Sequence, residues 1–138
     1  MVWDTDSSLK FYRDLLGMRV AGESEKYGTE QEHLNNVFGA HLRITALRAG
    51  TGPGIELLEY LAPQDGRPFP ADEHASDVVH RHTILFTADA GAAAQQLQAS
   101  KVNFVSSGVV ANQNEQLGFH KAFLARDPDA HAIEVEEK

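Results

Sequence analysis

The pentapeptide IELLE at residues 55–59 returns as IEVEE at residues 133–137, so the same pattern recurs 78 positions later. A second pair of matching positions lies upstream, because Asp4 and Asp89 each precede a helical pattern and are 85 positions apart. The seven-residue difference between the two offsets is a net shortening within the second half. Two such similar offsets indicate an internal duplication of the chain.

The two halves share one order of predicted elements. In the first half, apolar residues at helical spacing between the capping Asp4 and the terminating Gly17 predict a helix over residues 4–18. In the second half, the same kind of pattern predicts a helix over residues 89–100. Apolar runs predict strands at residues 41–48, 55–61, 80–87, 103–105, 119–126 and 131–136. The predicted fold class is therefore α+β, with two tandem β-α-β-β-β modules whose curved sheets form a cleft.

Polar and proline-rich segments separate these elements. Residues 22–36 and 106–118 are polar and are predicted to be exposed loops. Residues 62–77 hold three of the five prolines and show no periodicity, which predicts a linker. We therefore expect a single domain over residues 1–138, with module one at 1–61, the linker at 62–78 and module two at 79–138.

The first module lacks most of its first strand. The second module has a full predicted strand at residues 80–87 ahead of Asp89, whereas only residues 1–3 precede Asp4. The offset of 85 carries His82 to a position upstream of the first residue. We therefore expect the first strand of module one to be truncated and the equivalent of His82 to lie outside this chain.

The composition excludes several classes of function. The 138 residues include 12 Lys and Arg against 20 Asp and Glu, for a formal net charge of −8, so neither nucleic acid nor an anionic membrane surface is an expected partner. No apolar run approaches the roughly 20 residues of a membrane-spanning helix, and no signal segment is recognised, so a cytoplasmic protein is expected. Because cysteine is absent and seven histidines are present, any metal must be bound by His, Asp, Glu or Gln.

Several segments resemble the vicinal oxygen chelate superfamily, which includes glyoxalase I, bleomycin-resistance proteins and extradiol dioxygenases. They are SLKFYRDLLGM (8–18), VFGAHLRITAL (37–47), GPGIELLEYLAP (52–63), HTILFTAD (82–89) and ARDPDAHAIEV (125–135). The last segment is similar to the family signature Asp-Pro-(Asp or Glu)-Gly-(His or Asn)-x-x-Glu and is the most specific of them. Ala130 stands where the family usually has Gly, a residue that accepts positive φ at little cost.

The resemblance implies a divalent metal site with open positions for two adjacent substrate oxygens. Each module of the family supplies one ligand from its first strand and one from its last. Carried over to this sequence, the metal ligands are Glu56, His82 and Glu134, and the fourth falls at the position outside the chain. These donors suit Zn, Ni, Mn, Fe or Co. The resemblance also implies that Glu134 or Glu56 acts as the catalytic base.

Other interpretations of these residues stay open. His80 lies two residues from His82 on the same predicted strand face and competes with it as the ligand, although the register of the repeat favours His82. Glu56 and Glu134 can also be read as solvated carboxylates, Glu134 within a charged C-terminal tail. His131 is expected to be a turn residue rather than a ligand. The residues expected to line the cleft are Tyr60, His80, His120 and Phe123.

Three functions are compatible with this pattern. The first is a glyoxalase-like, divalent-metal-dependent lyase, isomerase or dioxygenase acting on a small substrate with vicinal oxygens, which the three retained ligand positions favour. The second is metal-free binding of a small molecule, as in bleomycin-resistance proteins, with Trp3, Tyr60 and Phe123 stacking on an aromatic or cationic ligand. The third is an inactive truncated member. Relatives of this size commonly form homodimers, so we expect a homodimer in which the partner covers the exposed strand edge.

Overall fold

The computed structural model of the chain describes residues 1–70 and 72–138, and Ala71 of the predicted linker lies outside them. In chain order its helices and strands are α1 (Thr5–Leu9) with a π-helical continuation (Lys10–Leu15), β1 (Arg19–Tyr27), α2 (Thr29–Asn35), β2 (His41–Arg48), β3 (Ile55–Ala62), β4 (His82–Thr87), α3 (Ala90–Ala99), β5 (Val110–Ala111), a short 3-10 helix (Glu115–Leu117), β6 (Lys121–Arg126) and β7 (Ala132–Glu137).

The chain divides into two compact units, Met1–Pro68 and Phe69–Lys138, and the boundary falls inside the predicted linker. Unit 1 contains a three-stranded antiparallel sheet in the order β1-β2-β3. Unit 2 contains a four-stranded sheet in the order β4-β7-β6-β5, in which β4 runs parallel to β7 and the other pairs are antiparallel. This mixed α+β architecture confirms the predicted fold class. The shared cleft between the two modules stays a prediction.

In unit 1 the first helix begins after the predicted cap and ends at Leu15, three residues before the predicted end. The Asp4 carboxylate caps α1 by accepting a hydrogen bond from the Ser7 amide at 2.6 Å. Gly17 follows the helical segment with a φ of 72°, a conformation that favours glycine. The buried core residues of this unit include Leu9, Phe11, Tyr12, Thr45, Leu47 and Leu57.

In unit 2 the helix α3 is capped in the same way. The Asp89 carboxylate accepts a hydrogen bond from the Ala92 amide at 2.9 Å, and α3 contacts both β6 and β7. The register of β6 and β7 places Phe123 opposite Val135, and Ala125 opposite Ile133, so these side chains share one sheet face. The buried residues on the helix and on this face are Ala90, Ala94, Leu97, Phe123, Ala125, Ile133 and Val135.

The same hydrogen bond joins the helix to the last strand in each unit. The Thr5 amide donates to the Glu59 carboxylate at 3.1 Å, and the Ala90 amide donates to the Glu137 carboxylate at 2.9 Å. The two donors are 85 positions apart and the two acceptors 78, which are the offsets found in the sequence repeat. The duplication therefore extends to individual hydrogen bonds.

One bridge in the described part of unit 1 corresponds to the first strand of module one. Val2 pairs in parallel with Glu59, as Thr87 of β4 pairs in parallel with Glu137 in unit 2. Val2 and Thr87 are again 85 positions apart. In the described residues, the first strand of module one is thus reduced to this bridge, which agrees with the predicted truncation.

Two predicted loops contain regular structure, and these predictions were wrong in part. Residues 22–36 hold most of β1 and all of α2, and residues 106–118 hold β5 and the 3-10 helix. All nine residues of β1 are exposed, because the strand is held by backbone pairing with β2 and not by side-chain burial. An exposed strand carries no alternation of apolar and polar residues, which is the signal that sequence analysis uses.

The other strands agree more closely with the prediction. β2 has the predicted bounds, β3 is one residue longer, and β4, β6 and β7 begin one or two residues later than expected. The predicted strand at 103–105 is reduced to a bridge between Phe104 and Ala125. No helix within residues 1–70 and 72–138 is long and apolar enough to cross a membrane.

The turn between β6 and β7 is organised by Asp127. Its carboxylate accepts hydrogen bonds from the amides of Asp129 and His131, both at 2.9 Å, and also contacts the His131 ring at 3.0 Å. His131 is therefore a turn residue, as the sequence predicts. Ala130 adopts a φ of 70°, a left-handed conformation that costs a residue with a Cβ about 1–2 kcal/mol.

Replacing Ala130 with glycine is expected to stabilise the protein by about 1 kcal/mol, because glycine adopts positive φ without strain. Chemical denaturation of the Ala130→Gly variant measures the change in the free energy of unfolding. The matched control is Ala92→Gly on the exposed side of α3, which is expected to destabilise by about 1 kcal/mol. A destabilised Ala130→Gly variant would contradict the strain at this turn.

Candidate functional site

Two of the predicted ligands meet on one face of the unit 2 sheet. His82 begins β4 and pairs with Ala132, and Ile84 pairs with Glu134 on the parallel neighbour β7. His82 and Ile84 alternate along their strand, so His82 and Glu134 lie on the same face. The His82 Nε2 atom is 3.0 Å from the Glu134 Oε2 atom. The small side chain of Ala132 beside His82 leaves room for this diagonal approach.

The donor atoms of this pair suit a divalent cation. Two ligand atoms bound at about 2.1 Å to one octahedral ion lie about 3.0 Å apart, which is the distance between His82 Nε2 and Glu134 Oε2. The His82 side chain is 36% exposed and the Glu134 side chain 16% exposed, so solvent reaches the pair. The same distance also fits an ordinary ion pair. In the described residues, no three His, Asp or Glu side chains converge as a metal site.

A buried carboxylate lies beside this pair, in the segment predicted as a linker. The Glu73 side chain is fully buried. It accepts a hydrogen bond from the Arg126 guanidinium at 2.5 Å, and the Nδ1 atom of His80 contacts its other oxygen at 2.5 Å. The His80 ring centroid is 5.7 Å from that of His82. Glu73 thus fixes both His80 and the linker segment next to the donor pair.

The electrostatics of Glu73 keep it ionised. Hydrogen bonding from the Arg126 guanidinium holds the pKa of the Glu73 carboxyl below its ordinary value, against the opposing effect of burial, and the contact with His80 adds to the lowering. Arg126 is itself held in place, because its other terminal nitrogen donates to the Ala130 carbonyl at 2.6 Å. A buried carboxylate that has two partners of this kind is a structural anchor.

In unit 1, Glu56 lies on the sheet face that carries Tyr60. Glu56 pairs with Ala46, and Tyr60 pairs with Leu42, which is the face that the alternation of the sequence predicts. Glu56 is exposed, and it lines a surface cavity of about 340 Å³ together with Ala46, Leu47, Arg48, Gly54 and Ile55. The Tyr60 hydroxyl accepts a hydrogen bond from the Asn35 side-chain nitrogen Nδ2 at 2.8 Å, so α2 is tied to this face.

The remaining predicted cleft residues lie in different environments. His80 contacts Glu73, as described above, and His120 is exposed immediately before β6. Phe123 was expected to line the cleft, but it is 1% exposed and stacks on Phe104 with ring centroids 5.2 Å apart. Successive side chains of a strand point to opposite faces of the sheet. Because Leu124 pairs with Glu134, Leu124 shares the Glu134 face and Phe123 points to the opposite face. Phe123 is therefore a core residue.

Comparison with known families identifies the fold. A family model described as the Glyoxalase/Bleomycin resistance protein/Dioxygenase superfamily matches residues 1–135. The chain belongs to this superfamily. The vicinal oxygen chelate resemblance found in the sequence is thereby confirmed, whereas the ligand assignment to Glu56, His82 and Glu134 stays a prediction.

Solved structures with this superfamily fold match nearly the whole chain. A glyoxalase family protein from Bacillus cereus matches with a TM-score of 0.79 and 16% identity over 99% of this chain and 87% of that one. The trypanothione-dependent glyoxalase I of Leishmania major matches with a TM-score of 0.62 and 19% identity over 99% and 80%. TioX from a Micromonospora species matches with a TM-score of 0.62 and 17% identity over 99% and 91%. A comparison with curated protein sequences finds no match.

The pH dependence of stability tests the role of Glu73. Because the folded-state pKa of Glu73 is lowered, its ion pair stabilises the protein above the ordinary value of 4.5 and loses its effect as the pH falls toward the folded-state value. Glu73→Gln is expected to lower the melting temperature by at least about 5 °C at about pH 7. This difference from the unsubstituted protein is expected to shrink below about pH 4.5.

The matched control is Glu115→Gln, which removes an exposed carboxylate from the 3-10 helix. It is expected to shift the melting temperature little at any pH. Thermal melts monitored by circular dichroism across the pH range provide the measurement. An equal melting temperature for Glu73→Gln and Glu115→Gln at neutral pH would show that the buried ion pair does not anchor the linker.

Proposed function

We propose that the protein is a glyoxalase-like, divalent-metal-dependent lyase, isomerase or dioxygenase that acts on a small substrate with two vicinal oxygens. The observation that carries this proposal is the 3.0 Å separation of His82 Nε2 and Glu134 Oε2 on one sheet face. Membership of the superfamily over residues 1–135 supports it. Glu56 is proposed as the third ligand, because the repeat makes it the unit 1 equivalent of Glu134.

Each side chain has a defined task in this proposal. A divalent cation bound by these residues supplies Lewis acidity toward two adjacent substrate oxygens. His82 contributes a neutral nitrogen donor and Glu134 a negatively charged oxygen donor. Because a carboxylate has two oxygens and one is enough for ligation, the second oxygen of Glu134 or Glu56 can accept a proton from substrate and return it.

A second candidate function is metal-free binding of an aromatic or cationic small molecule. It is favoured by the absence of a three-donor cluster within the residues that the structure describes. Trp3 is largely exposed and Tyr60 lies on the Glu56 face of unit 1, so both can stack on a ligand, and the net charge of −8 attracts a cation. Phe123 cannot contribute, since it is in the core.

Metal content distinguishes the two candidates. Protein purified without chelators or a histidine tag is expected to contain a stoichiometric divalent metal by elemental mass spectrometry. His82→Ala and Glu134→Ala each remove one donor and are expected to lower metal affinity by at least about 100-fold. Glu56→Ala is expected to have an effect of the same sign.

The controls are His33→Ala on α2 and Glu115→Ala, which remove an exposed residue of each type and are expected to retain the metal. Protein that binds none of Zn, Ni, Mn, Fe or Co on reconstitution would contradict the metal-dependent function and favour metal-free binding. If the metal is bound, 2-oxoaldehydes and catechols are the first substrates to assay, since both present two adjacent oxygens.

A further inference from the structure

The segment that connects β1 to β2 in unit 1, residues 28–39, contains α2 and is only weakly attached to the sheet. None of its residues is buried. Its leucine and its phenylalanine, Leu34 and Phe38, are 80% and 91% exposed. Helices in proteins are normally held in place by packing of an apolar face. This segment therefore has no buried apolar anchor on the sheet.

One side-chain hydrogen bond joins this segment to the sheet. The Asn35 side chain donates from Nδ2 to the Tyr60 hydroxyl oxygen at 2.8 Å. Within unit 1, all of whose residues the structure describes, residues 28–39 make no other side-chain hydrogen bond or ion pair to the three strands. The backbone hydrogen bonds around α2 are local. Because Tyr60 shares a sheet face with Glu56, this single bond holds the end of α2 against that face.

The two ends of the segment have backbone conformations that suit a hinge. Gly28 has a φ of 96° and a ψ of 177°, a combination that essentially only glycine adopts. Gly39 has a φ of 71°, which also favours glycine. The strands β1 and β2 remain paired up to Tyr27 and His41. The segment can therefore turn about its two glycines while the strands on either side stay fixed.

We propose that residues 28–39 form a lid that opens and closes over the Tyr60 face of unit 1. The two glycines are its hinges, and the hydrogen bond from Asn35 to Tyr60 holds it closed. One neutral hydrogen bond changes such an equilibrium by no more than about 10-fold, so closure is readily reversed. Both candidate functions bring a small molecule to this face. The lid goes beyond them and does not depend on a bound metal.

Hydrogen–deuterium exchange measures opening of the lid. A helix as short as α2 is not stable away from the sheet, so its amides exchange when the lid opens. Tyr60→Phe removes only the hydroxyl that holds the lid and is expected to raise the exchange rate of the α2 amides about 5-fold, with the amides of β2 and β3 unchanged. The matched control is Tyr27→Phe, which removes the same atom from a tyrosine that is 71% exposed and is expected to change neither rate.

Nitration of tyrosine by tetranitromethane measures access to the face beneath the lid. Tyr27 is 71% exposed and Tyr12 is 4% exposed, so they serve as the fast and slow references. Gly28→Ala disfavours the closed backbone conformation without altering the hydrogen bond, and it is expected to raise the nitration rate of Tyr60 at least about 5-fold with Tyr12 unchanged. The matched control is Gly22→Ala, at a glycine of β1 without positive φ, which is expected to leave the nitration of Tyr60 unchanged.

Three outcomes would overturn the lid. Unchanged exchange of α2 in Tyr60→Phe would show that the hydrogen bond does not hold the segment closed. Faster exchange that extends through β2 and β3 would show that the variant loosens the whole unit. Unchanged nitration of Tyr60 in Gly28→Ala would show that the segment does not limit access to the face. Because neither measurement involves a metal, failure of the lid is distinct from failure of the proposed function.

Discussion

The hydrogen bond from a helix-starting amide to a carboxylate near the end of the last strand determines how each unit is arranged. It joins Thr5 to Glu59 in unit 1 and Ala90 to Glu137 in unit 2. A negatively charged group at a helix N-terminus is favourable. Hydrogen bonding from the Ala90 amide, and to a smaller extent from Lys121, holds the pKa of the Glu137 carboxyl below its ordinary value.

The same hydrogen bond fixes which sheet face the helix covers. Residues three apart in a strand point to opposite faces, so Glu59 directed at the helix requires Glu56 to point away from it, and Glu137 imposes the same on Glu134. One carboxylate of each pair therefore holds the helix, and the other lies on the opposite face of the sheet.

The elements that the sequence predicts well are those that bury one face. The capped helices and strands β2, β3, β6 and β7 contribute buried residues at regular spacing, which is the signal that periodicity detects. β1 was missed because its nine residues are all exposed, so the strand has no buried face that periodicity could detect. Phe123 was misplaced by one position, since apolar residues run continuously through residues 122–125 and alternation cannot assign their faces. Pairing of Leu124 with Glu134 resolves what the sequence leaves open.

The candidate site shows the same division between local and long-range information. His82 and Glu134 were selected by the repeat and by the family resemblance, and both kinds of information are contained in short segments of the chain. Glu73 was not found, because its partner Arg126 is 53 residues away and its own segment is rich in proline and polar residues. The burial of a carboxylate can be predicted only when the cation that neutralises it is known. The available indication was Arg126 itself, an arginine that directly follows the apolar run at residues 122–125 and therefore needs an anion.

What neutralises Glu134 decides between the two candidate functions. The carboxylate is mostly buried, and Glu136 lies on the same sheet face, so the face accumulates negative charge in a chain that already carries a net −8. His82 lies 3.0 Å from Glu134, a distance that an imidazole–carboxylate ion pair also fits. A divalent cation held by both side chains would use the imidazole nitrogen and the carboxylate oxygen together as donors. A cationic organic ligand would use the carboxylate alone. The pairing of a nitrogen donor with an oxygen donor, and not the negative charge alone, is therefore the feature on which the proposal of a metal at this site rests.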